Sequence, residues 1–158
     1  MPPFDGIVLT FPGIAIRMWT WAALLRVLKR IVPLESLVRL MHRRPASRGR
    51  SAAFRQRIED YLSMTGRFPY RPPSNCLERS LGAYRLLCEA AAAPELVIGL
   101  RRSDAQGLLG HVWVTVQGRA LAERDDALAV YTPIATFDAG ARRHSHAAGD
   151  PLRGMSFK

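Results

Sequence analysis

Residues 75–90, Asn75-Cys76-Leu77-Glu78-Arg79-Ser80-Leu81-Gly82-Ala83-Tyr84-Arg85-Leu86-Leu87-Cys88-Glu89-Ala90, decide how this chain folds. Apolar side chains recur there at three- and four-residue spacing, which predicts a helix from Cys76 to about Ala91. Pro94 marks where it must stop. Upstream, Thr65 to Asn75 (TGRFPYRPPSN) is rich in proline, which predicts a loop with Ser74 or Asn75 as the helix N-cap. A thiol in the first turn of a helix sits at the positive end of the helix dipole, which favours thiolate. Cys76 is therefore the candidate nucleophile, and its backbone N–H can help to hold an oxyanion. The commoner state of a free Cys is a buried, inert thiol. Cys88, in mid-helix after Leu86 and Leu87, fits that description.

Downstream the pattern changes from helical to alternating. Glu95 to Leu100 reads as a strand, Arg101 to Gly110 as a polar loop, and His111 to Val116 as a second strand. Gln117-Gly118 is a tight turn into a third strand, about Arg119 to Glu123, and a fourth lies within Ala129 to Phe137. Alternation puts His111, Trp113 and Thr115 on one face and Val112, Val114 and Val116 on the other, the core face. His111 is the candidate acid/base partner of Cys76, with Trp113 beside it to exclude water. An imidazole in that role needs a group to orient it. Glu123 lies across the turn on the neighbouring strand, and strands in a hairpin are about 5 Å apart. Asp125 and Asp126 follow it as alternatives. His42, His144 and His146 stand in polar or basic, unpatterned surroundings.

Before the Cys76 helix, Ile16 to Val32 reads as an amphipathic helix. Trp21, Leu24, Leu25, Leu28 and Val32 share one face, and Arg26, Lys29 and Arg30 the other. Trp21 and Leu24 are expected to pack on the rest of the molecule. A second helix is expected from Leu34 to about His42, a linker from Arg43 to Ser51, and a third helix from about Ala52 to Met64. The expected organisation is a basic helical segment at 1–50, a catalytic unit at 51–137 and a mobile tail at 138–158. Helices followed by an antiparallel meander make an α+β fold, with the Cys-bearing helix packed on the sheet.

Composition bounds the partners. With 158 residues, 48% hydrophobic and 23% charged, the chain suits one globular domain. Its net charge of +10 is concentrated before the Cys76 helix. That favours an acidic partner over nucleic acid, because the arginines are scattered and form no recognised nucleic-acid module. Contact with a membrane surface is a minor alternative. Arg17, Pro12 and Gly13 interrupt the most apolar stretch, and its basic residues follow it, the reverse of a signal peptide. Two cysteines make no disulfide framework and no metal-ligand spacing, which points to reduced thiols in the cytoplasm.

Taken together, NCLERSLGAYRLLCEA, ELVIGLRR, GHVWVTVQGRAL and Glu123 resemble the transglutaminase-like leader peptidases of lasso-peptide biosynthesis, in their stand-alone form. The resemblance runs in order and spacing from about Pro69 to Phe137. It implies a transglutaminase/papain-like core and a thiol protease that cuts the leader from a ribosomally made precursor through a thioester. Cys76 would be the nucleophile and His111 the general base and acid. Glu123 falls where the family usually carries Asp, and Val112 where it more often carries Ala. No cofactor and no metal are implied. The implied partners are the precursor's leader peptide, a leader-binding recognition protein and an ATP-dependent lasso cyclase. An acyltransferase using the same three residues and a non-catalytic interaction subunit are the alternative readings.

Overall fold

The computed structural model describes residues 11–44, 51–67, 75–104 and 107–146. Most of the expected linker (45–50), most of the proline-rich loop with Ser74 (68–74), and the tail beyond residue 146 lie outside the described residues. The helices are α1 (Pro12–Leu28), α2 (Leu34–Met41), α3 (Ser51–Arg67), α4 (Cys76–Glu89) and the one-turn α5 (Asp125–Leu128). The strands are β1 (Pro94–Ser103), β2 (Gly107–Val116), β3 (Arg119–Leu121), β4 (Thr132–Phe137) and β5 (Arg143–Ser145). They form one antiparallel sheet in the order β3-β2-β1-β4-β5. The fold is α+β, as the sequence predicts.

Cys76 begins α4 because Asn75 ends the loop in extended conformation and caps the helix. Its side chain accepts from the N–H of Glu78 at 3.0 Å, and the Glu78 carboxylate accepts from the N–H of Asn75 at 3.3 Å. This capping box satisfies donors that a helix start leaves open. Every residue of α4 from Leu77 to Cys88 is buried. Val112, Val114 and Val116 of β2 and Leu96 and Ile98 of β1 share its core on the sheet side. Ile14, Met18 and Leu25 of α1, Leu37 and Met41 of α2, and Ile58 and Leu62 of α3 complete the same core.

Charge pairs clamp α1 antiparallel to α4. Lys29 Nζ lies 3.0 Å and Arg26 Nε 3.7 Å from the Glu78 carboxylate, which is only 2% exposed. At the opposite end Arg17 pairs with Glu89. The Arg85 guanidinium lies 4.2 Å over the Trp21 ring, so Trp21 packs as expected. Leu24 does not: it is 44% exposed while Leu25 is fully buried. Ile14, Met18 and Leu25 set the inner face, and 100° of rotation per residue carries Leu24 away from it.

Four further expectations are corrected. The polar stretch 101–110 is mostly strand, since β1 and β2 stay paired out to Ser103 and Gly107. Past Leu100 the ribbon leaves the core, so the alternation that marks a half-buried strand is absent. The sheet is also not a simple meander: β4 lies beside β1, and the connection from β3 must pass β2 and β1 to reach it. Finally, α3 continues past Met64, with Thr65 donating to the carbonyl of Leu62 at 3.0 Å, and β5 adds an edge strand after Phe137. No helix among the described residues is long and apolar enough to cross a membrane.

Because the partners of Glu78 can reach water more easily than Glu78 itself, replacing its charge should unbalance a buried site. Glu78→Gln is expected to cost about 1–3 kcal/mol. Glu78→Ala also removes the carboxylate half of the capping box and is expected to cost about 1 kcal/mol more. Urea unfolding midpoints at constant slope measure both.

Candidate active site

The first turn of α4 meets β2 beside His111. Ser80 Oγ, one turn after Cys76, donates to the carbonyl of Val112 at 2.9 Å. Next to that backbone link, the Cys76 thiol lies near enough to the His111 imidazole and the backbone of Val112 for both to lower its pKa. The two candidate residues are thus joined both directly and through their immediate neighbours.

Glu123 lies just past the end of β3, with Oε1 3.6 Å from His111 Nε2. The Arg79 guanidinium donates from Nη2 to the same Oε1. These groups adjust one another's protonation. The hydrogen bond to Cys76 and then Glu123 push the His111 pKa up to about 9, against burial, which lowers it. Burial pushes the Cys76 thiol up, but the His111 and Val112 hydrogen bonds and the charges of His111 and Arg79 outweigh it. The thiol ends below its ordinary value, and the pair favours thiolate–imidazolium at neutral pH.

Aromatic rings wall the imidazole. Trp113 stacks on His111 with centroids 5.9 Å apart and planes at 22°, and Tyr131 approaches it at 5.1 Å. Trp113 is buried on the face opposite the valines, as the alternation predicts. Gly99, the cross-strand partner of His111, makes room: a Cβ there would lie 2.7 Å from the Trp113 ring. The connection from β3 to β4 therefore passes His111 twice, offering Glu123 on the way out and Tyr131 on the way back.

The other sequence candidates lie apart from this cluster. Asp126 is exposed and forms two hydrogen bonds with Arg124, at 2.8 and 3.0 Å. Asp125 opens α5, and its side chain lies outside the described residues. Burial pushes the Cys88 thiol up to about 11, the opposite of Cys76. His144 pairs with Asp138 at 3.1 Å and His146 with Thr136 at 2.7 Å, at the β4–β5 edge. Among the described residues no cluster of His, Cys, Asp and Glu could hold a metal ion.

Arg79 and Tyr131 were missed in the sequence. Three-residue spacing from Cys76 puts Arg79 on the same side of α4, a signal that was available. Tyr131 carried none, because its position depends on where β4 joins the sheet.

This arrangement can perform acyl transfer through sulfur. In such a step the thiolate would be the nucleophile, the imidazolium would supply a proton to a leaving group, and first-turn N–H groups left open by the cap would be donors for an oxyanion. Residues 17–136 match the family described as Transglutaminase-like superfamily, a span that contains Cys76, His111 and Glu123. No curated protein and no solved structure matches the chain. The matched span covers well over half of the sequence, running from α1 to β4, and the chain belongs to the transglutaminase-like superfamily.

Proposed function

We propose that this chain is a cysteine peptidase that removes the leader from a ribosomally made lasso-peptide precursor. The observation that carries the chemistry is the Cys76 thiol at a helix N-terminus, its pKa lowered by the neighbouring His111 imidazole, with Glu123 behind that imidazole. Membership of a superfamily typical of cysteine proteases and acyltransferases supports the reaction class. The resemblance of four motifs, in order, to stand-alone leader peptidases supports the substrate.

In this reading the Cys76 thiolate adds to the scissile carbonyl, and first-turn N–H groups hold the oxyanion. His111 protonates the departing amine as the C–N bond breaks, leaving a thioester on Cys76. His111 then takes a proton from water, which attacks the thioester and releases the leader's new carboxylate. Glu123 orients the imidazole and supports its positive form. A leader-binding protein presents the precursor in the cytoplasm, and an ATP-dependent cyclase consumes the freed amino terminus.

Mass spectrometry of a candidate precursor, mixed with this protein and its leader-binding partner, tests the reading. Wild type should make a single cut, and Cys76→Ala should lose it by about three orders of magnitude or more. No cut by wild type on a valid precursor overturns the reading, and amine adducts at the cut site would make the protein an acyltransferase.

The pH profile of cleavage should be bell-shaped. The acid limb reports formation of the thiolate–imidazolium pair, below the ordinary thiol range, and the alkaline limb its loss near pH 9, where His111 gives up its proton. Removing the negative charge beside His111 lowers its proton affinity, so Glu123→Gln should move the alkaline limb to lower pH. The same change should slow cleavage by roughly ten- to a hundred-fold. Asp126→Asn should leave both limb and rate unchanged.

A further inference from the structure

We infer that Arg79 is a positioning residue: it seats the Glu123 carboxylate so that one oxygen serves both its guanidinium and the His111 imidazole. The inference rests on the reading of Cys76, His111 and Glu123 as a working triad.

The geometry is specific. Arg79 Nη2 and His111 Nε2 both face Glu123 Oε1, and the imidazole stands at 3.6 Å, beyond an ordinary hydrogen bond. The carboxylate is therefore seated on the guanidinium and only approached by the imidazole. Side-chain exposures of 10% for Arg79 and 8% for Glu123 put the contact in a setting where an unpaired charge is costly. Arginine stays charged throughout the working pH range, so it offers the Glu123 carboxylate a fixed positive partner. Glu123 needs such an anchor because it lies in a bend after β3, where no strand ladder fixes its backbone.

Several charged and titratable groups among the described residues surround the contact. From α4 come Cys76 and Arg79, and from β2 comes His111. The β3–β4 connection contributes Glu123 and Tyr131. From α3, apolar Leu62 lines a water-sized cavity beside Arg79 and Glu123. The α3 carboxylate Glu59 is engaged by Arg55 and Arg119.

Two consequences of opposite sign separate this role from mere packing. Without the guanidinium, Glu123 Oε1 keeps His111 Nε2 as a neighbour and no longer shares its charge with Arg79, so the imidazole holds its proton to higher pH. Cys76 loses a positive neighbour, so its thiolate forms at higher pH. Arg79→Gln should therefore raise both midpoints, whereas Glu123→Gln lowers that of His111.

Neither midpoint needs a substrate to be read. Iodoacetamide alkylation of Cys76 against pH, followed by peptide mass spectrometry, gives the thiolate midpoint, and imidazole NMR resonances give that of His111. Arg79→Gln should raise each by about one pH unit, with smaller rises in Arg79→Lys, which keeps the charge and loses the fork. In a Glu123→Gln background, where the carboxylate charge is gone, Arg79→Gln should raise the His111 midpoint by clearly less, through loss of its own charge alone. Unchanged midpoints in both single variants overturn the inference. A rise at His111 that persists undiminished without the Glu123 charge also overturns it. A wild-type Cys76 that titrates as an ordinary thiol would instead overturn the triad itself.

Discussion

Asn75 and Glu78 close each other's backbone donors, and the same Glu78 carboxylate, buried under α1, receives Lys29 and Arg26. A carboxylate out of water must be paired, so this group constrains two helices at once. It fixes where α4 starts, and hence that Cys76 falls in the first turn. It also fixes where α1 lies, and hence how α4 is covered on the side away from the sheet. The amino-terminal helices are therefore part of the core around the nucleophile-bearing helix, and their basic residues serve in part as struts.

The site repeats this logic on a smaller scale. A thiol, an imidazole, a carboxylate and a guanidinium alternate in sign when the thiol is ionised, each held by the next. Burial opposes charge on the thiol and the imidazole, and their close neighbours outweigh it. Trp113 and Tyr131 exclude water from the imidazole without offering it another base, and Gly99 lets the indole lie flat against the strand.

Local pattern and non-local pairing account for what the sequence made legible. Residues 75–90 announce their helix because proline brackets them and the apolar period is unbroken. His111 to Val116 announces both of its faces because one is wholly valine. Glu123 could be reached through the Gln117-Gly118 turn, a connection of only a few residues. The position of β4 beside β1 was not legible, since nothing in Ala129 to Phe137 records which neighbour it takes. Arg79 drew no reading of its own because its partner, Glu123, comes 44 residues later. The arms of the β1–β2 hairpin were read as loop because both of their faces meet water. Leu24 was assigned inward because the apolar residues of α1 surround the helix and blur its buried stripe.

Cys76 and Cys88 are the two cysteines of this sequence, and α4 holds both. Twelve residues of helix separate them by about 18 Å along the axis, whereas a disulfide joins Cα atoms about 4–7 Å apart. The rigid spacing that makes one thiol acidic and leaves the other inert also denies the acidic one a resolving partner within this helix. Peroxide would oxidise Cys76 to a sulfenic acid that Cys88 cannot capture. Its fate then depends on small thiols in solution: with them it is capped and recovered, and without them it proceeds to the sulfinic acid and is lost.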